Sequence, residues 1–171
     1  VSAVQTRGAP IDQFSFKQTR AHINVMVTAT GGGDWMWNPE RPRGKLALLR
    51  LPLRAFSGRA DPAQAGSYHP LPAPARGRAL HNRFVGNWLL WGAGAGWYGR
   101  AQNGGELLAA NVTRPRHVTR MSLDHGVERI EAMGRHAMAV GNGKRDLFFT
   151  SVELGDWPRV RSTHVRKNAA Q

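Results

Sequence analysis

The apolar residues of this chain come in short runs, and none repeats at a helical period over more than two turns. Residues 23–29 (INVMVTA), 45–51 (KLALLRL), 88–91 (WLLW), 106–112 (ELLAANV), 127–133 (VERIEAM), 137–140 (AMAV) and 147–154 (LFFTSVEL) are four to eight residues long. They are bounded by Gly, Asn, Asp or Pro, the punctuation of strands. Residues 127–133 have the look of a helical turn, but Gly126 and Gly134 confine them to strand length. The expectation is an all-β chain.

The connections are read the same way. Gly141-Asn142-Gly143 lies between two apolar runs, and Asn-Gly favours the positive φ of a tight hairpin turn. Gly134-Arg135 separates the two preceding runs similarly. Residues 57–79 differ: Pro62, Pro70, Pro72 and Pro74 with Gly58, Gly66 and Gly77 predict a long insertion loop unsuited to a central strand.

A weak repeat emerges of strand, turn, strand, Gly-rich turn and strand. Three copies occupy residues 10–56, 80–113 and 125–155 of a single segment, 1–171, with central runs starting near 23, 88 and 137. The spacings are 65 and 49 residues, the first containing the insertion. Such periods are those of β-propeller blades of short antiparallel strands. About three blades make an incomplete ring, so self-association or further blades are expected to close it.

Four stretches carry a resemblance: DQFSFKQTRAHINVMVTATGGGDWMWN (12–38), GKLALLRLPLRAF (44–56), NRFVGNWLLWGAG (82–94) and HGVERIEAMGRHAMAVGNGKRDLFFTSVELG (125–155). Together they resemble bacterial secreted proteins with a C-terminal β-propeller distantly related to WD40 repeats. The resemblance implies a secreted, periplasmic or envelope location and an internal fragment of a longer propeller. It brings no catalytic residues with it.

Charge narrows the partners. Twenty Arg and four Lys against 11 acids give a net charge of +13, which attracts polyanions at long range. The densest stretch is Arg41, Arg43, Lys45, Arg50, Arg54 and Arg59. Arg41, Arg43 and Arg54 are the candidate polyanion-binding residues. An acidic glycan or a protein is the expected partner, with a basic nucleic-acid-binding β domain as the alternative reading. There is no Cys, which excludes disulfides and thiolate sites. No stretch approaches 18 uninterrupted apolar residues, the length that would suggest a membrane-spanning helix. Nor does Val1 open a recognisable signal peptide.

The most distinctive patch is Gly31-Gly32-Gly33-Asp34-Trp35-Met36-Trp37-Asn38. Trp35 and Trp37 could stack a sugar ring while Asp34 and Asn38 bond its hydroxyls; packing against a neighbouring blade is the plainer role. Trp97 and Tyr98 fall in the corresponding turn of the next unit, so the two turns are candidates for one aromatic ligand-binding platform. Residues 94–99 match G-x-G-x-x-G, but the following Arg100-Ala101-Gln102-Asn103-Gly104-Gly105 supplies no helix N-terminus for a pyrophosphate.

Seven His (His22, His69, His81, His117, His125, His136, His164) show no metal-ligand spacing. Ser122, Asp124 and His125 suggest a nucleophile, yet no G-x-S-x-G elbow accompanies them and adjacent strand residues face opposite ways. Asp34 and Asp146 read as turn-holding residues, and Asn111-Val112-Thr113 as a glycosylation acceptor relevant only in a eukaryotic secretory pathway. No metal, cofactor or catalytic residue is assigned. A propeller hydrolase would need paired carboxylates converging from inner strands, and the acids lie mostly beside turns. The function expected is that of a non-enzymatic binding or structural module.

Overall fold

The computed structural model describes residues 2–30, 43–96 and 103–170. They form three successive antiparallel sheets, each a meander in chain order. The first contains β1 (Ala9–Pro10), β2 (Phe16–Gln18), β3 (His22–Thr30), β4 (Arg43–Pro52) and β5 (Tyr68–Leu71). Both β1 and β2 pair with the same edge of β3, at Ala9↔Thr28 and Phe16↔Val25, so the sheet has four rows. A single 3-10 turn between them, Gln13–Ser15, is held by the Asp12 carboxylate, which accepts from the Phe14 amide at 2.7 Å.

The second sheet is β6 (Ala79–Val85), β7 (Trp88–Gly94), β8 (Asn103–Asn111) and β9 (Val118–His125). The third is β10 (Arg129–Met133), β11 (His136–Asn142), β12 (Leu147–Glu153) and β13 (Arg159–Arg166). The all-β reading holds, and the described strands fall into three sheets, at 9–71, 79–125 and 129–166, beside repeat copies read at 10–56, 80–113 and 125–155. Each repeat nevertheless runs one strand further than expected. The fourth rows are β5, which lies inside the supposed 57–79 loop, and β9 and β13. Pro70 is tolerated in β5 because that strand pairs only with β4 and lies at a sheet edge.

Side-chain parity explains the layering. In β7 and β8, Leu89, Trp91, Leu108 and Ala110 face the first sheet with Met26, Leu46, Leu48 and Leu71. The residues between them, Leu90, Leu107 and Ala109, face the third sheet with Val127, Ile130, Ala137, Ala139 and Val152. The second sheet is thus buried on both faces, which is why its strands read as unbroken apolar runs. On the far side of the first sheet, Val25, Val27, Leu49 and Leu51 are covered by Val4, Phe56, Ala63 and Tyr68. The far face of the third sheet has no such cover among the described residues, and Met133 there is 54 % exposed.

Two hairpins behave as the sequence suggests. Val85↔Trp88 and Met133↔His136 close two-residue turns whose first residues, Gly86 and Gly134, have φ of 55° and 60°. Gly141-Asn142-Gly143 does not make the hairpin turn expected of it. Gly141 and Asn142 continue β11, neither Gly141 nor Gly143 has positive φ, and the reversal falls at 143–146, closed by the Gly143 amide on the Asp146 carbonyl at 2.8 Å.

The second and third sheets are clamped by His125. Its Nδ1 lies 2.7 Å from the Gly126 carbonyl, which can only accept, so Nδ1 carries the proton. Nε2 of the neutral ring then accepts the Thr150 hydroxyl at 2.8 Å, and Thr150 meets Thr163 at 3.0 Å. The ring stacks on Phe148 with centroids 5.2 Å apart. Burial holds the His125 pKa below its ordinary value, against the raising effects of the Gly126 bond and Asp124. The unfolded chain therefore binds this proton more readily than the folded one. The corresponding stability is complete above about pH 6.5 and declines as pH falls from there towards the folded pKa. Urea midpoints measured from about pH 7.5 down to about pH 5 should fall. His125→Gln, less stable at the upper pH, should give a flatter profile.

Candidate functional site

The strand ends define two rims. Val127 donates its amide to Ala93 O at 3.0 Å, beside the end of β7, and Glu128 donates to Val140 O at 2.9 Å, near the end of β11. The Trp91 indole donates to Pro72 O at 3.0 Å, just past the end of β5, which lies beside the end of β3 across β4. The ends of β3, β7 and β11 therefore share one rim, the upper. The turns at 19–21, 86–87 and 112–117 share the lower.

Of the candidate ligand platform, Asp34, Trp35, Trp37, Asn38, Trp97 and Tyr98 all lie outside the described residues, as does Arg41. What is described is the base of the second turn. Gly92 and Gly94 belong to β7, and Glu128 accepts the Ala95 amide at 2.7 Å and the Gly96 amide at 3.4 Å. A carboxylate already occupies the amides that a dinucleotide phosphate would use. His81 Nε2 stands 3.8 Å from Glu128, with burial lowering its pKa against the pull of Glu128 and Asp12. Farther along the upper rim, Asn103, Asp124, Lys144, Arg145 and Phe148 line a cleft of about 390 Å³.

The two polyanion candidates among the described residues do not meet. Arg43 opens β4 on the upper rim and Arg54 follows its lower end, about 30 Å away at 3.3 Å per strand residue. Ser122 and Asp124 are exposed while His125 is buried on the opposite face of β9, so they form no catalytic group. No cluster of three His, Cys, Asp or Glu able to hold a metal occurs among the described residues.

The lower end of the seam between the first and second sheets is different. Strand register puts His22, Asn24, Arg50 and His69 on the inner face of the first sheet, the face that carries Met26 and Leu48 higher up. Leu53 donates its amide to Ala21 O at 2.9 Å, which seats Arg54 beside His22. Arg116 comes from the β8–β9 connection of the second sheet. Burial lowers the His22 pKa first, and Arg50 and Arg54 lower it further; at His69 burial is again the leading cause, followed by Arg50 and Arg116. Both imidazoles thus sit in a positive field. Arg50 Nη2 lies 3.5 Å from His22 Nδ1, a long contact that needs a neutral ring. Among the described residues no acidic side chain pairs with Arg50, Arg54 or Arg116.

Sequence reasoning placed Arg50 in the dense basic stretch but missed the cluster, because Arg116, His22 and His69 are distant in sequence. The available signal was parity: on β3 the inward positions 22, 24 and 26 change from apolar to polar toward the lower rim. Comparison with protein-family models, curated proteins and solved structures gives no match for this chain.

Proposed function

We propose that this chain is a non-enzymatic binding module of β-propeller-type blades, serving a secreted or envelope protein, and that its partner is a polyanion such as an acidic glycan. The observation that carries the reading is the lower seam, where three Arg and two His converge without an acid among the described residues. An unpaired cation cluster attracts anions in proportion to the field it leaves unscreened.

The blade reading is supported by the arrangement of the first rows. Asn82 of β6 donates to Asp12 at 3.0 Å and Ser15 at 3.1 Å, and Arg83 lies 4.2 Å above the Phe14 ring and 3.8 Å from Glu131 of β10. The leading strands of the second and third sheets thus lie side by side, with the 3-10 turn of the first sheet against β6, an arrangement that suits strands around a propeller axis. The third sheet's far face, with Met133, Met138, Val140 and Phe149 and no cover among the described residues, suits the approach of a further blade or a second copy.

Nucleic acid is the weaker partner. Exposed Phe14, Phe16 and Trp157 lie outside the seam, and no exposed aromatic within it, among the described residues, offers a base a stacking surface. The test is titration with dextran sulfate across a salt series. Binding should weaken steeply with salt, and Arg54→Gln and Arg116→Gln should each lower the slope of log K against log salt by about one. Unchanged slopes in both variants would defeat the reading.

A further inference from the structure

Within the seam, Arg50 stands apart from its neighbours. Arg54 and Arg116 are exposed and their charges are hydrated. Arg50 is half-buried on the inner face of β4, and its Nε–H is buried without a hydrogen-bond partner. Opposite it on β3, Asn24 is fully buried; its amide donates to Lys17 O at 3.2 Å while its Oδ1 is unbonded. A guanidinium N–H held out of water without an acceptor is costly. Among the described residues the side-chain hydrogen-bonding partner of Arg50 is the His22 ring, at that long distance, which contributes no countercharge. Cations partly withdrawn from water are ordinarily paired, and here, among the described residues, two more cations stand at the mouth in place of an acid.

From this we infer that the seam seats one tetrahedral oxyanion, a sulfate or phosphate group, with Arg50 at the back and Arg54 and Arg116 at the entrance. Guanidinium forks match the spaced oxygens of such a group, and charge-assisted bonds to it are among the strongest a side chain makes. Asn24, paired with Arg50 across the two strands, brings a second unsatisfied polar atom, its Oδ1, to the back of the site. The ligand is then the sulfate or phosphate substituent of a larger molecule, or the free ion. This rests on the polyanion reading, and it replaces diffuse attraction by a single stoichiometric site.

The experiment is calorimetric titration of the whole chain with sodium sulfate and, separately, inorganic phosphate, ionic strength being held constant with sodium chloride. One saturable site is expected, with Arg50→Gln weakening it about tenfold or more, the loss expected for a charge-assisted hydrogen bond. Arg54→Gln and Arg116→Gln should weaken it less, and because both positions are exposed they report even if Arg50→Gln fails to fold. Arg166→Gln, far away on β13, should leave it unchanged. Preference between the two ions identifies the ester class. Absence of saturation with both ions, or equal affinity in wild type and all three seam variants, overturns the inference. If the ions fail while dextran sulfate binds with the predicted salt slopes, only the discrete site falls. If sulfate saturates while dextran sulfate does not bind, the polyanion reading falls and the site stands.

Discussion

Trp91→Ala is expected to lower the unfolding free energy by about 4 kcal/mol, within the usual range for removing a buried Trp. Trp91 is fully buried in β7, the second strand of the middle sheet, and its side chain packs into the cluster shared with Met26, Leu48 and Leu71 of the first sheet. It also does a second job. Its indole N–H bonds Pro72 O, fixing the chain where the first sheet hands over to the second. Trp91→Phe separates the two roles. It keeps most of the apolar volume and loses the indole N–H, so it should cost about 1–2 kcal/mol. Urea unfolding of both variants checks this. A loss near 1 kcal/mol for the alanine variant would show that the first two sheets do not depend on the shared cluster.

The strands most legible in the sequence are those whose surroundings are simplest. β7 and β8 are apolar on both faces because a sheet covers each, so WLLW and ELLAA could hardly be anything but buried strands. The missed rows fail for opposite reasons. All eight residues of β13 are exposed, so burial imposes no alternation on Arg159-Val160-Arg161-Ser162. In β9 only Met121, Leu123 and His125 turn inward to burial, so just two apolar residues mark the period before it ends on a polar one. β5 is hidden by Pro70. The lower seam was half legible: Arg50 and Arg54 stood in the dense basic stretch, but no local pattern says that β5 and the β8–β9 connection will bring His69 and Arg116 to them. Pairing of distant segments is what a single sequence conceals.

The Gly141 misreading has a physical cause, and from it comes the other large effect. Gly beside Asn signals a turn because Gly tolerates positive φ, but Gly is also the residue that lets two backbones touch. At position 141 the second use applies. A Cβ built there would lie 1.7 Å from the Gly126 carbonyl oxygen and 2.4 Å from His125 Nδ1, the two atoms whose bond starts the clamp between the second and third sheets. The neighbours are backbone and a fixed ring, so no flexible side-chain end can yield. Gly141→Ala should destabilise by about 3 kcal/mol, the upper end of ordinary overpacking. Gly155→Ala is the control. A Cβ there meets nothing within 4 Å and φ is not positive, so it should be neutral or stabilise by about 0.5 kcal/mol. The mechanism has its own signature beyond stability. Forcing Gly126 away from Gly141 disrupts the His125 bonds to Gly126 and Thr150 and admits water to the ring. The His125 pKa should then rise towards about 6.5, followed by proton NMR of the imidazole. A destabilised Gly141→Ala protein whose His125 still titrates as in the wild type would place the damage elsewhere and disprove the clamp as its cause.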